Sequence, residues 1–192
     1  QPRKKSGRIG GLLTASHGRS FLLCTSPRQM QAFRQALDGR TPFPLLTQGE
    51  APRHALLEKF RATPGAVLIA TSSYWQGVDV QGEQLSLVIV DRLPFAAPND
   101  PVVAARIEAL RNDGRNAFAE FQIPEAVLAL KQGFGRLIRS THDRGVLALL
   151  DCRIRTKGYG AQFLSSLPDF ARAERLEEVE AFFGAEVLRA SR

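Results

Sequence analysis

The sequence predicts an α/β fold, a mostly parallel central sheet with helices on both faces. Three observations carry that expectation. Four short apolar runs, Phe21 to Cys24, Ala66 to Ala70, Leu85 to Val90 and Val146 to Leu150, lack the alternation of a half-exposed strand and read as strands buried on both sides. Helical patterns separate them, so strand and helix alternate along the chain. At 192 residues and 44% hydrophobic content, the chain suffices for one packed domain and leaves little room for a second.

The elements follow in order. Residues 1–18 are basic and polar and are read as a segment leading into the domain, which runs from 19 to 168. After the first strand, helical patterns cover Pro27 to Leu37, Pro52 to Phe60, Pro101 to Leu110 and Pro124 to Arg139. In all four, proline stands in the first turn, where its missing N–H would lack an intrahelical partner anyway. A weaker strand candidate, Phe43 to Leu46, lies between prolines. Residues 169–192 form an acidic tail, with an amphipathic helix over Arg172 to Leu188 that sets Leu176, Val179, Phe182 and Phe183 on one side. In a parallel sheet the ligand site lies beyond the carboxyl ends of the strands. The segments there are Thr25 to Pro27, Thr71 to Asp79, Asp91 to Pro98 and Asp151 to Arg155.

Charge narrows the class of partner. The net charge is +7, and residues 1–40 hold eight Lys or Arg against the single acid Asp38. Such a surface favours a polyanion. No apolar run reaches the roughly 18 residues that span a bilayer, and the basic start has no apolar stretch of a secretory signal behind it. Cys24 and Cys152, far apart and each in an apolar run, are expected to be buried free thiols in a reducing, cytoplasmic setting, with no metal site.

The chemistry concentrates in three segments. On a helix over Pro124 to Arg139, Gln132, Arg136 and Arg139 fall within about 60° of one another, with Gly135 on the edge of the stripe. Val127, Leu130, Phe134, Leu137 and Ile138 occupy the opposite, docking face. Arginine presents a planar fork to phosphate oxygens and can stabilise charge on a transferring phosphoryl group. A solvated face with Arg139 paired to Asp143 explains the same spacing. The second segment is Thr71 to Asp79. Its hydroxyls (Thr71, Ser72) suit phosphate, Gly77 a tight turn, Asp79 a ribose hydroxyl and Trp75 a stacked base. A tight loop with Asp79 as a helix cap and Trp75 in the core is the plainer alternative. In the third, Thr25 and Ser26 precede a helix whose free N–H groups suit phosphate, although an ordinary N-cap uses the same residues.

Taken together and in this order, these segments resemble the carboxyl-terminal, RecA-like motor domain of DinG-type helicases, relatives of XPD in superfamily two. QGFGRLIRS (Gln132 to Ser140) resembles the family's sixth helicase motif, SYWQGVD (Ser73 to Asp79) the fifth and FLLCTS (Phe21 to Ser26) the fourth. RLPFAAPNDP, IPEAVLALKQG and YGAQFLSSLP resemble its connecting sequences. The resemblance implies that Arg136 and Arg139 reach the γ-phosphate, with Arg139 as the arginine finger, and that Gln132 couples nucleotide state to closure. It implies that Gly77, Asp79 and Gly135 border the nucleotide, and that Thr25, Ser26, Thr71, Ser72 and Trp75 hold single-stranded DNA. The implied reaction is ATP hydrolysis with Mg²⁺, driving 5′ to 3′ translocation and duplex unwinding in repair or replication. No G-x-x-x-x-G-K-[ST] and no D-E-x-H occurs, nor the four cysteines of the family's iron–sulfur cluster. In the family these belong to the first motor domain, so the chain is expected to be a fragment that needs that domain for turnover. Some relatives associate with the chi subunit of DNA polymerase III, which makes chi a candidate partner for Phe182 and Phe183. The preferred reading packs both rings on their own domain.

Two alternatives stand beside this. A catalytically inactive RecA-like module that binds DNA or a replication partner would tolerate loss of both arginines, whereas a motor would not. A Rossmann-type enzyme would need a G-x-G-x-x-G turn, which is absent. His17, His54 and His142 are scattered and form no catalytic cluster.

Overall fold

The computed structural model describes residues 2–71, 74, 85–97, 100–137 and 144–190. Five parallel strands form its sheet: β1 (Ser20–Cys24), β2 (Leu45–Thr47), β3 (Val67–Thr71), β4 (Leu87–Val90) and β5 (Val146–Leu149), in the spatial order β2-β3-β1-β4-β5. The four main runs expected as strands are strands, and the weak fifth is the three-residue edge strand β2. Every residue of β1, β3 and β4 is buried, as continuous apolar runs require in a sheet covered on both sides.

Side chains alternate between two cores. Leu22, Cys24, Val67, Ile69, Leu87 and Ile89 face α1 (Pro2–Ala15), α2 (Pro27–Leu37) and α8 (Leu176–Ala190). Phe21, Leu23, Leu68, Ala70, Val88 and Val90 face α3 (Arg53–Ala62), α5 (Ile123–Leu137), α6 (Arg153–Thr156) and α7 (Gly160–Ser166). The remaining helix, α4 (Pro101–Asn112), buries no side chain.

Several local expectations need correction. The basic start is helical: α1 buries Ile9, Leu12 and Leu13 on the sheet. Gly11 lets α8 approach, since a Cβ there would stand 2.5 Å from Leu176 Cδ2. Pro52 is the N-cap residue of α3 and precedes its first turn. Cys152 is exposed, because it lies past the end of β5, where the apolar run has ended; Cys24 is buried. Phe183, by contrast, is only 2% exposed and packs against the α1–α2 side of the sheet, in keeping with the packing reading, with Phe182 half-buried beside it.

Pro124 does more than begin a helix. A π-helical turn, Phe118–Gln122, runs directly into α5, and Ile123 N–H donates to the Phe118 carbonyl five residues back. Proline has no N–H to donate to the carbonyl four residues earlier and its ring crowds that oxygen, so the preceding turn opens.

Candidate functional site

Cys24 and Thr71 are register partners at the carboxyl ends of β1 and β3, so the structure brings Thr25 and Ser26 beside Thr71. The chain leaves β1 for α2 on one face of the sheet, whereas the connection from β4 to β5 passes through α5 on the other. Sheets of this kind bind ligands beyond the carboxyl ends of strands whose connections diverge to opposite faces. Thr25 is exposed. Ser26 is the N-cap of α2, its hydroxyl accepting from Gln29 N–H at 3.3 Å. Thr71 is buried, and its N–H and hydroxyl both donate to Gln48 Oε1 at 2.8 Å. Arg53 holds Tyr74, donating to its carbonyl at 2.7 Å and lying over its ring, while the Tyr74 hydroxyl donates to the Arg53 carbonyl. Burial pushes the Tyr74 phenol up, and the Arg53 charge pulls it back only in part.

Two carboxylates brace this crest. Asp91, directly after β4 and fully buried, accepts from Lys5 Nζ at 2.6 Å on Oδ1, and Lys5 also donates to the Asp91 carbonyl at 2.7 Å. Asp91 Oδ2 has no hydrogen bond among the described residues; Arg92 Nε stands 3.8 Å away. Burial and the Asp91 charge push the Cys24 thiol up to about 12, Lys5 opposing them. Asp151, two residues past the last residue of β5, accepts from Leu93 N–H at 2.9 Å and from the Arg153 guanidinium at 2.7 to 3.0 Å. Burial alone would raise it, but Arg153 and the N–H groups of Leu93 and Arg153 outweigh burial and hold it below the usual carboxylate range.

The second part of the expected site lies elsewhere. Gln132 and Gly135 are exposed on α5, in the stretch of helix that carries Arg136, while Leu130, Phe134 and Leu137 dock into the core. A Cβ on Gly135 would meet nothing within 4 Å. A shallow apolar depression of about 220 Å³ adjoins it, lined by Lys131, Phe134, Leu167, Pro168 and Phe170. α5 runs antiparallel to the strands. Its end reaches Gly145, whose Cβ would stand 2.7 Å from Leu137 Cδ1, beside Ser86 at the amino end of β4. The helix stripe and the Thr25–Ser26–Thr71 crest thus sit towards opposite ends of the sheet, separated by about 15 Å of strand length. Ser72, Trp75, Gly77, Asp79 and Arg139 lie outside the described residues.

Lys5, Gln48, Arg53, Asp91, Asp151 and Arg153 were not singled out by sequence reasoning. The signal was an acid at the end of two of the four apolar runs, LVIV-Asp91 and VLALL-Asp151. No group of His, Cys, Asp or Glu able to hold a metal occurs among the described residues. Cys24 is buried and Cys152 exposed, so the two thiols form no shared ligand pair.

Comparison with known proteins decides the family. The helicase C-terminal domain family matches residues 9–170. This chain belongs to it. It is 46% identical over 179 residues to the ATP-dependent DNA helicase YoaA of Escherichia coli, which covers 90% of this chain and 28% of that protein. The YoaA of Haemophilus influenzae is 47% identical over 171 residues (89% and 27%), and the ATP-dependent helicase DinG of Mycobacterium tuberculosis 43% over 173 (90% and 26%). The helicase C-terminal domain seen here therefore spans little more than a quarter of the length of these relatives. Its fold is shared with solved XPD helicases: an apo XPD superposes with a TM-score of 0.66 at 19% identity over 88% of this chain and 34% of the other, and a second XPD helicase with 0.62 at 18% over 88% and 31%. Among the described residues no helix is long and apolar enough to cross a membrane.

Proposed function

We propose that this helicase C-terminal domain is the second motor domain of an ATP-dependent 5′ to 3′ DNA helicase of the DinG type, working against a first motor domain of the same protein. The observation that carries the reading is the unpartnered side of α5. Gln132 and Gly135 face solvent on a helix otherwise docked into the core, open space lies over Gly135, and Arg136 follows in the same turn. In this reading Arg136 and Arg139 present guanidinium forks to the γ-phosphate of ATP. The charge that spreads over the transferred phosphoryl oxygens is what such forks stabilise. Gln132 senses the nucleotide, and Gly77, Asp79 and Gly135 border it. ATP and Mg²⁺ are held chiefly by the first motor domain, as is any iron–sulfur cluster of the whole protein.

The crest of β1 and β3 is the DNA side. Thr25, Ser26, Ser72 and Trp75 grip a single strand through its backbone and one stacked base. Thr71, committed to Gln48, shapes the crest through its backbone. A motor steps along any sequence, so backbone contacts suit it better than base-edge contacts. The domain surface that Phe183 leaves free, including Phe182, remains open to a partner such as the chi subunit. DNA-stimulated ATP turnover by the full-length protein tests the reading. Arg139→Ala is expected to lower turnover by about a thousandfold or more, with folding and nucleotide binding retained. Unchanged turnover overturns it.

A further inference from the structure

We propose that the aromatic cluster at the carboxyl ends of β4 and β5 is an additional stacking site for a base of single-stranded DNA, with Phe118 as its outer face. This rests on the DNA reading above and adds a contact to it. Phe118 is 42% exposed, an unusual position for a phenylalanine, and its ring lies nearly parallel to Phe95 at 5.7 Å and 21°. Tyr159 abuts both rings edge-on at 5.8 and 5.4 Å. Arg153 lies over Phe95 at 5.4 Å, where Asp151 clamps it. A rigid ring with one face packed and the other free is what a base stacks on.

Phe118 is held there by the π turn that Pro124 imposes, and such turns occur frequently at functional sites. Around the cluster Arg92, Arg115, Arg153 and Arg155 each stand against an acid (Asp91, Glu120, Asp151 and Glu174), and with Lys157 the local balance is one positive charge. Position separates DNA from the adenine of ATP. The cluster follows β4 and β5 on the crest that carries Thr25 and Ser26, whereas the exposed stripe of α5 extends towards the amino ends of the strands.

The test is binding of a fluorescent oligo(dT), and ultraviolet crosslinking of a 5-iodouracil oligonucleotide, to the full-length protein. Crosslinks at Phe118 or Tyr159 are expected. Phe118→Ala should weaken oligo(dT) binding about tenfold, while Phe118→Tyr restores it. If the wild type binds and crosslinks only elsewhere, or Phe118→Ala binds equally well, the stacking site falls and the DNA reading stands. If the wild type binds no oligonucleotide, both fall. If Phe118→Ala loses a fluorescent ATP analogue but keeps DNA, the ring serves the nucleotide and this proposal is wrong. Crosslinking needs no variant, so a misfolded Phe118→Ala leaves the question decidable.

Discussion

Replacing Lys5 by Met should destabilise the domain more than replacing its partner, Asp91, by Asn. The asymmetry follows from burial. Asp91 is fully buried, whereas the Lys5 side chain keeps 23% of its surface in solvent. Lys5→Met removes the ammonium at 2.6 Å and leaves a carboxylate inside the protein without its hydrogen-bonded cation. Breaking a buried pair from one side costs about 3–5 kcal/mol. Arg92, 55% exposed and already 3.8 Å from Oδ2, can move closer and offset part of this, so the loss should fall at the lower end, about 3 kcal/mol. Asp91→Asn keeps an oxygen for Lys5 and strands only a cation that can turn to water, a loss of about 1 kcal/mol. The double variant removes the orphan charge and should cost about 2 kcal/mol, well under the sum of the singles. Urea unfolding of the four proteins, followed by far-ultraviolet circular dichroism, measures all three values. Equal costs below about 1 kcal/mol for both singles, with strict additivity, would show that Lys5 does not pin α1 to the end of β4.

Phe183→Ala should cost about 3–5 kcal/mol in the same assay, because it empties a site 2% exposed between α8 and the sheet; a loss under 1 kcal/mol with weakened capture of chi would reinstate a partner role. Asp151 is held below its ordinary range, so its contribution is complete above the unfolded carboxylate pKa, about 4. That contribution fades as pH falls through the lower, folded value. The stability gap between wild type and Asp151→Asn should therefore be constant from pH 7 to 5 and narrow below about pH 4; a gap that widens on acidification contradicts the bracing role. Of the two thiols of this domain, exposed Cys152 should react fast with Ellman's reagent at pH 8 and Cys24 only on unfolding, since Cys24 is buried and its thiol pushed up to about 12. Two fast thiols would mean that the β1 crest opens.

The central strands were legible because burial on both faces leaves unbroken apolar runs, and β1, β3 and β4 are such runs. The first helix was not. Gly7, Gly10 and Gly11 lower helix propensity across Pro2–Ala15, and only packing of Ile9, Leu12 and Leu13 on the sheet compensates. The bracing carboxylates were legible as positions but not as roles, since Asp91 meets a cation 86 residues away and Asp151 caps an N–H 58 residues away. Thr71 shows the converse. Its place at the crest was clear from the sequence, but its hydroxyl is occupied by Gln48, which lies on a different strand's turn. Spacing along a chain gives faces and edges; which hydroxyl is free depends on tertiary neighbours.

The separation of the two proposed sites assigns α5 a mechanical part. Under that proposal, a nucleotide signal received near Gln132 would have to reach a crest about 15 Å away along the strands. The helix spans that distance as one rigid element of about 22 Å. Its first residues continue the π turn that holds Phe118, and its last turn packs against the start of β4 and β5. Leu130, Phe134 and Leu137 lock its length onto the core, where close packing resists gradual deformation. A tilt set by closure over ATP at one end would therefore move the aromatic cluster at the other without unfolding anything between. The π turn, the most open hydrogen-bonded turn of that helical run, is where such a tilt would be absorbed or transmitted.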